Sequence, residues 1–254
     1  MAFILTNLKM NKNKILRLLY LCILICCLLS CKDGLFDSGM TITREIKIEQ
    51  PFSTLDFKNI FDVVLVQDTI NKVLVSCGKN LQSYVSVDVS NDVLIVNQDT
   101  KFNWSRKYEK IKLEIHLTAI PNILIHEPVN LKSKGTLKGD NFSLVDYGKV
   151  SEVDVTVDVN TCAVYMTFDN FGSFKVKGKC NYAEFWGWGS SIVRADSLIA
   201  GDCYVLQRGI GNVYVNVINQ LSVSLNYSGN VYYTGNPAEI IIKEQKSTGQ
   251  LIKM

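Results

Sequence analysis

From about residue 42 onward the chain alternates apolar and polar positions with a period of two. Ile111, Leu113, Ile115 and Leu117 alternate with Lys112, Glu114 and His116, and Val153, Val155, Val157 and Val159 alternate with Asp154, Thr156 and Asp158. The same rhythm recurs at Val213, Val215 and Val217 and again at Leu221, Val223 and Leu225. Successive side chains of a strand point to opposite faces, so each such segment has one apolar face to bury. No window beyond residue 40 sustains the 3.6-residue period of a helix. The pattern predicts an all-β protein.

Glycines punctuate the strands at regular intervals. Gly148, Gly172, Gly189, Gly211 and Gly229 each open a new strand, about twenty residues apart on average and about forty when taken in pairs. A short strand cannot bury its apolar face alone, but coils stacked on one another make a continuous apolar column. Glycine is expected to supply the positive-φ corners of such coils. Antiparallel hairpins are the alternative, yet no Asn-Gly or Asp-Gly doublet joins two adjacent strands. A β-solenoid is the better reading. Toward the N-terminus the strands carry less glycine. Phe57 to Val66 reads as one strand region, followed by Val73 and Val75, by Val85 to Val89 and by Val93 to Val96, with polar joints between them.

The first thirty residues follow a different pattern. Lys9, Lys12, Lys14 and Arg17 precede the apolar run Leu18–Leu29, with no acidic residue among them. Twelve apolar residues are too few to span a bilayer comfortably and suit the core of a signal peptide. The run ends in Leu28-Leu29-Ser30-Cys31, which resembles a bacterial lipobox, in which the cysteine becomes the acylated N-terminus after cleavage. Double or triple acylation at Cys31 would give the more than one lipid chain that stable anchoring takes. The expected organisation is a lipoprotein signal peptide at 1–30, a lipidated tether at 31–45 and a single elongated solenoid domain at 46–254. Without the leader, 23 basic face 24 acidic side chains, so nothing in the net charge draws the chain to nucleic acid.

Of the eight cysteines, four lie beyond Cys31: Cys77, Cys162, Cys180 and Cys203. They show no CxxC or other metal spacing and sit beside strand residues, so they read as small buried hydrophobes. A Cys180–Cys203 disulfide is the alternative, because the two lie about one repeat apart.

Phe52-Ser53-Thr54-Leu55-Asp56-Phe57-Lys58-Asn59-Ile60-Phe61-Asp62-Val63 resembles the opening of the head GIN domain lipoproteins of Bacteroidetes, the DUF2807 family, also named for autotransporter adhesins. Degenerate forms of the family's Gly-Ser-Gly turn stand at Arg208-Gly209-Ile210-Gly211-Asn212-Val213 and Tyr227-Ser228-Gly229-Asn230-Val231. The most specific match is the ending Val231-Tyr232-Tyr233-Thr234-Gly235-Asn236-Pro237. The resemblance covers roughly residues 50–254 and departs at Gly148 and at the Trp186-Gly187-Trp188-Gly189 corner. It implies a right-handed parallel β-helix-like solenoid, an outer-membrane location in the cell envelope, and an adhesion role without established catalytic residues.

The chemistry available is modest. His116 shares a polar strand face with Lys112 and Glu114, and His126 ends a strand, so both read as structural. GxSxG, HExxH and a phosphate-cradling loop before a helix are all missing, and no cofactor or metal is expected. Glu152, Asp154 and Asp158 share a strand face at spacings of roughly 7 and 14 Å, which would suit a carbohydrate-active β-helix enzyme. Alternation alone is the better explanation, as acids that keep an outer face wet. For binding, Tyr182, Phe185, Trp186 and Trp188 cluster around a glycine corner, and Trp104 and Tyr108 mark the polar loop 99–110. Exposed rings stack on C–H-rich sugar faces, so Trp186, Trp188 and Tyr182 are the candidate ligand-binding residues, although rings at such a corner more often cap or fill the solenoid core. Tyr232 and Tyr233 are expected to cap the last coil. The function expected is non-catalytic adhesion to a glycan or to a host or envelope protein at the bacterial surface. The alternatives are a polysaccharide lyase or hydrolase and a periplasm-facing structural lipoprotein. Replacing Cys31 by serine should move the chain from the membrane to the aqueous phase on detergent partitioning; membrane retention of Cys31→Ser would count against lipidation at this position.

Overall fold

The computed structural model describes residues 38–99 and 110–254, together with Tyr20; the rest of the leader, Cys31, Trp104 and Tyr108 lie outside them. Each regular coil is built mainly from a single long strand bent over two faces. β9 (Val129–Asp146), β10 (Glu152–Met166), β11 (Ser173–Gly187), β12 (Ile192–Gln207) and β13 (Val213–Leu225) lie parallel, each hydrogen-bonded to the next. Val153 stands opposite Phe174, Phe174 opposite Val193, and Val193 opposite Val213. A step of about twenty residues carries each residue to its partner in the next coil, as the glycine spacing predicts; the paired unit of forty has no structural counterpart. The result is a β-solenoid of about seven turns with parallel stacked coils.

The first half of each long strand forms one face and the second half the other. Register shifts fall within the first half, between Asp154 and Thr156, between Lys175 and Lys177 and between Ala195 and Ile199, whereas the inward parity changes at the bend itself, at Asn160 in β10 and Asn181 in β11. There Asn181 Nδ2 donates to Asn160 Oδ1 of the coil below at 2.7 Å. β14 (Val231–Thr234) and β16 (Leu251–Lys253) continue the first face, and β15 (Glu239–Gln245) continues the second. Between the faces runs a single apolar core that includes Phe57, Phe61, Phe142, Phe174 and Phe185, all fully buried.

At the N-terminal end the coils depart from chain order. The strands are β1 (Thr41–Lys47), β2 (Thr54–Phe57), β3 (Phe61–Gln67), β4 (Lys72–Gly78), β5 (Val85–Ser90), β6 (Val93–Gln98), β7 (Ile111–Leu117) and β8 (Asn122–Ile125). The first face runs β1-β4-β7-β3-β9, and on the second β2 lies between β6 and β8. The β2–β3 coil is therefore inserted between the β6–β7 coil and the β8–β9 coil. The region read as one strand from Phe57 to Val66 is two, split at Asn59-Ile60, because the chain turns there from the second face to the first. β1 and β5 run antiparallel to β4 and β6, and a 3-10 turn at Lys79–Tyr84 buries Leu81 beside them. Gln82 Nε2 donates to the carbonyls of Ile42 and Val75, both at 3.0 Å, tying this end together.

Three sequence expectations need correction. The strand-opening glycines are required mostly by crowding, not by dihedral angle: of the five, only Gly189 has positive φ, at 59°. Lys149 and Asp169 hold the left-handed position at earlier corners. A Cβ on Gly211 would lie 1.8 Å from the Ser191 carbonyl oxygen, and one on Gly229 would lie 2.0 Å from that of Gly211. Second, Cys180 and Cys203 are buried, unbridged thiols, so the reading of the cysteines as small hydrophobes holds and only the alternative of a disulfide between them is corrected. The register sets Cys180 between Val159 and Ala200 and sets Cys203 opposite Ala183, in different inward positions. Burial pushes the Cys180 thiol up to about 12 and raises Cys162 and Cys203 as well, as for small core hydrophobes. Third, Tyr232 points outward and stacks on Tyr214 at 4.9 Å, while Tyr233 alone packs against the core, and β15 and β16 extend beyond both.

These contacts separate two glycine effects. Gly135 has φ of 81° but no atom within 4 Å of its added Cβ, so Gly135→Ala should cost about 1 kcal/mol in dihedral strain alone. Gly211→Ala must push two coils apart and should cost about 3 kcal/mol or more, read as a larger drop in the denaturant midpoint.

Candidate functional site: an aromatic platform and an exposed corner

Alternation places Tyr182, Glu184 and Trp186 on the outward side of β11, on the second face. Glu184 lies between the two rings. Trp186 Nε1 donates to Glu184 Oε1 at 2.7 Å, and the Tyr182 hydroxyl reaches Oε2 at 3.4 Å. From the preceding coil Tyr165, directly opposite Trp186, brings its ring to 4.6 Å from the indole at an angle of 55°. Tyr182 and Trp186 each remain 37 % exposed. Partial burial, reinforced by the Glu184 charge, pushes the Tyr165 and Tyr182 phenols up to about 12, so both stay protonated hydrogen-bond donors. Directly opposite Glu184 in the next coil stands Tyr204, whose hydroxyl lies 3.2 Å from Ser224 Oγ and whose ring faces Lys243 Nζ at 4.5 Å. The arrangement offers ring faces for stacking beside an oriented carboxylate with acceptor capacity left over.

Trp188 is not part of this platform. One residue past β11 the chain enters the tight corner, where Trp188 packs half-buried against the core with Phe168 at 4.3 Å and the Arg208 guanidinium 5.2 Å above its ring. Phe168 and Phe171, at 70 % and 61 % exposed, extend the corner outward. Phe185, also named in the sequence cluster, points inward and is buried. Trp104 and Tyr108 fall outside the described residues. The sequence reading missed Glu184 and Tyr165. Glu184 was legible, since it lies two residues from each of Tyr182 and Trp186. Tyr165 needed the inter-coil register.

The carboxylates considered for catalysis are spread along the first face. Lysines of the next coil face two of them: Lys177 Nζ is 2.5 Å from Asp154, and Lys179 Nζ is 3.4 Å from Asp158. His116 lies between Asp68, at 2.7 Å, and Glu114, at 3.0 Å, on an outward strand face. His126 stacks on Tyr147 at 5.2 Å, with Nε2 3.2 Å from Asp56. Among the described residues no group of three or more His, Cys, Asp or Glu side chains could hold a metal ion.

A family model described as "Putative auto-transporter adhesin, head GIN domain" matches residues 51–237. The chain belongs to this head GIN domain family. Solved structures agree on the fold. A putative adhesin of Bacteroides fragilis superposes with a TM-score of 0.77 at 18 % identity, over 87 % of this chain and all of that one. A putative adhesin of Parabacteroides distasonis gives 0.59 at 17 %, again over 87 % of this chain and all of that one. A protein of the same species named as a putative lipid binding protein gives 0.53 at 17 %, over 87 % of this chain and 99 % of that one. Such identities carry the fold alone. No curated protein matches the chain significantly. As a head GIN domain, the chain is a member of an adhesin family of the cell surface or envelope.

The corner of this head GIN domain is held from inside by buried polar groups. Asp146 occupies an inward position, opposite Ile125 in the coil before and Met166 in the coil after. Its carboxylate accepts from the Gly148 N–H at 2.8 Å, the Ser151 hydroxyl at 3.0 Å and Asn170 Nδ2 at 2.7 Å. Farther along the stack, Gln207 bonds the Gly209 N–H and the Gly211 carbonyl. Burial raises the Asp146 carboxyl above its ordinary value of 3.8, and its three donors only partly oppose this. The folded state therefore holds a proton that the unfolded chain has released, and stability from this group falls as pH rises from the ordinary value through the raised one. Asp146→Asn removes the titration. As pH rises above the ordinary carboxylate value and this raised carboxyl gives up its proton, the parent should lose unfolding free energy relative to the variant; parallel stability curves would refute this account of Asp146.

Proposed function

We propose that the protein is a lipid-anchored, non-catalytic binding module of the cell envelope that takes glycan on its second face. The observation that carries this reading is Glu184, held between the Trp186 indole N–H and the Tyr182 hydroxyl beside the Tyr165–Trp186 ring pair. Trp186 can stack on the C–H face of a sugar while Glu184 accepts from its hydroxyls, the usual division between apolar contact and a few placed polar groups. The lipobox-like Leu28-Leu29-Ser30-Cys31 and the membership in an adhesin family support the envelope setting.

The test is a glycan-binding screen with the parent chain, followed by single substitutions. Trp186→Ala should weaken saturable binding at least about tenfold, in line with loss of a central aromatic contact, and Glu184→Gln should weaken it less. Phe168→Ala, at the corner, should leave it unchanged. Binding that survives Trp186→Ala would overturn this assignment. Protease shaving of intact cells, with a periplasmic protein as integrity control, decides the leaflet. Loss of the chain while the control survives supports an outward-facing adhesin, and protection until lysis would overturn it.

A further inference from the structure

The two ends of the solenoid differ. Antiparallel strands and the 3-10 turn close the N-terminal end, but at the other end, among the described residues, β15 is bonded only to β13, and β16 only to β14. Ile240 and Ile242 continue the inward columns of Leu221 and Val223. The Leu221 and Val223 side chains are fully buried, whereas Ile240 is 42 % and Ile242 50 % exposed. The end thus presents core side chains together with a free strand edge, a template for pairing with another strand.

The edge residues also suit a particular partner. Glu239-Ile240-Ile241-Ile242-Lys243, reversed about Ile241, sets Glu239 opposite Lys243 and Ile240 opposite Ile242. Opposite charges and apolar pairs facing each other across an antiparallel ladder are favourable. Glu239 and Lys243 both lie on the outward side of the strand: Glu239 accepts from Gln220 Nε2 at 2.6 Å, and Lys243, the extra residue where the register with β13 shifts between Ile242 and Glu244, reaches over the outward Tyr204 ring at 4.5 Å.

We propose that this end binds a second copy of the chain, β15 against β15, about a two-fold axis through Ile241. An axis along the sheet normal continues both faces at once, because β16 forms the matching edge of the first face. An isologous contact of this kind closes at two copies instead of growing into a fibre. It also keeps the two β1 strands, both on the first face, on one side of the assembly, so two anchored chains can reach the same membrane. The second faces then lie together on the opposite side. The proposal does not depend on what that face binds, but pairing would double the platforms offered to a repeating ligand.

The test uses the full chain. In intact cells under oxidising conditions, Ile241→Cys should give a disulfide-linked dimer, since the axis sets the two residues opposite each other, while Ile218→Cys, exposed elsewhere, should give none. In detergent, sedimentation velocity should show monomer and dimer only. Glu239→Lys should raise the dissociation constant about tenfold by setting lysines opposite one another on both sides of the axis, and adding Lys243→Glu should restore it. A monomer at every concentration, a ladder of larger species, equal cross-linking by both cysteine variants, or a dimer indifferent to the charge changes would each overturn the proposal.

Discussion

Each coil must lay its backbone on the previous one at the spacing of a β-ladder, about 4.8 Å, and most of this molecule's architecture follows from that requirement. Parallel pairing in register repeats the inward and outward positions of one coil in the next. The inward columns become a continuous core, as in Phe174–Val193–Val213–Val231. The outward columns become rows such as Asp154–Lys175–Arg194–Tyr214–Tyr232. At the corners the same spacing leaves too little room for a Cβ, and Gly211, Gly229 and Gly249 stand where the backbone of the neighbouring coil comes closest.

The regular half of this plan was legible in the sequence because it is local. Period two gives each strand its buried face, and a step of about twenty residues gives the coil. What could not be read is what depends on partners far along the chain. The fragments Thr54–Phe57 and Phe61–Gln67 look like any other strand pair, and nothing in them says that β6 and β7, encoded later, will lie on their N-terminal side. The positive φ expected of the strand-opening glycines holds at Gly189 and not at the other four, since φ is a property of one residue while the crowding at Gly211 comes from Ser191 in another coil. The candidate site divides in the same way: Tyr182 and Trp186 came from alternation, whereas Tyr165 entered only with the register, and Trp188 left the platform because the strand ends at Gly187.

The two faces have separate compositions. The first carries lysines and carboxylates in cross-coil pairs, which at such exposure contribute little to stability and mainly keep that side hydrated. The second concentrates rings beside Glu184. Between them, the tight corner combines an apolar exterior with a polar interior: Phe168 and Phe171 face solvent, while Asp146 and Asn170 are sealed inside and satisfied by one another and by the turn backbone. A buried network of this kind fixes the path of the turn more sharply than apolar packing would, because only one arrangement pairs every group.

The insertion of the β2–β3 coil between β6–β7 and β8–β9 has a consequence for how the molecule acquires its shape. A solenoid whose coils stack in chain order can zip from its first turn onward, each new coil docking on a finished one. Here the earliest coil stays without neighbours on both sides until segments well downstream have arrived, and its closure spans long loops whose entropy must be overcome first. The N-terminal block therefore carries the out-of-order loop closures of the fold, whereas the regular coils from β9 onward stack in chain order. A chain crossing a membrane N-terminus first would pass through a period in which β2 and β3, with Phe57 and Phe61, have emerged before the strands that cover them.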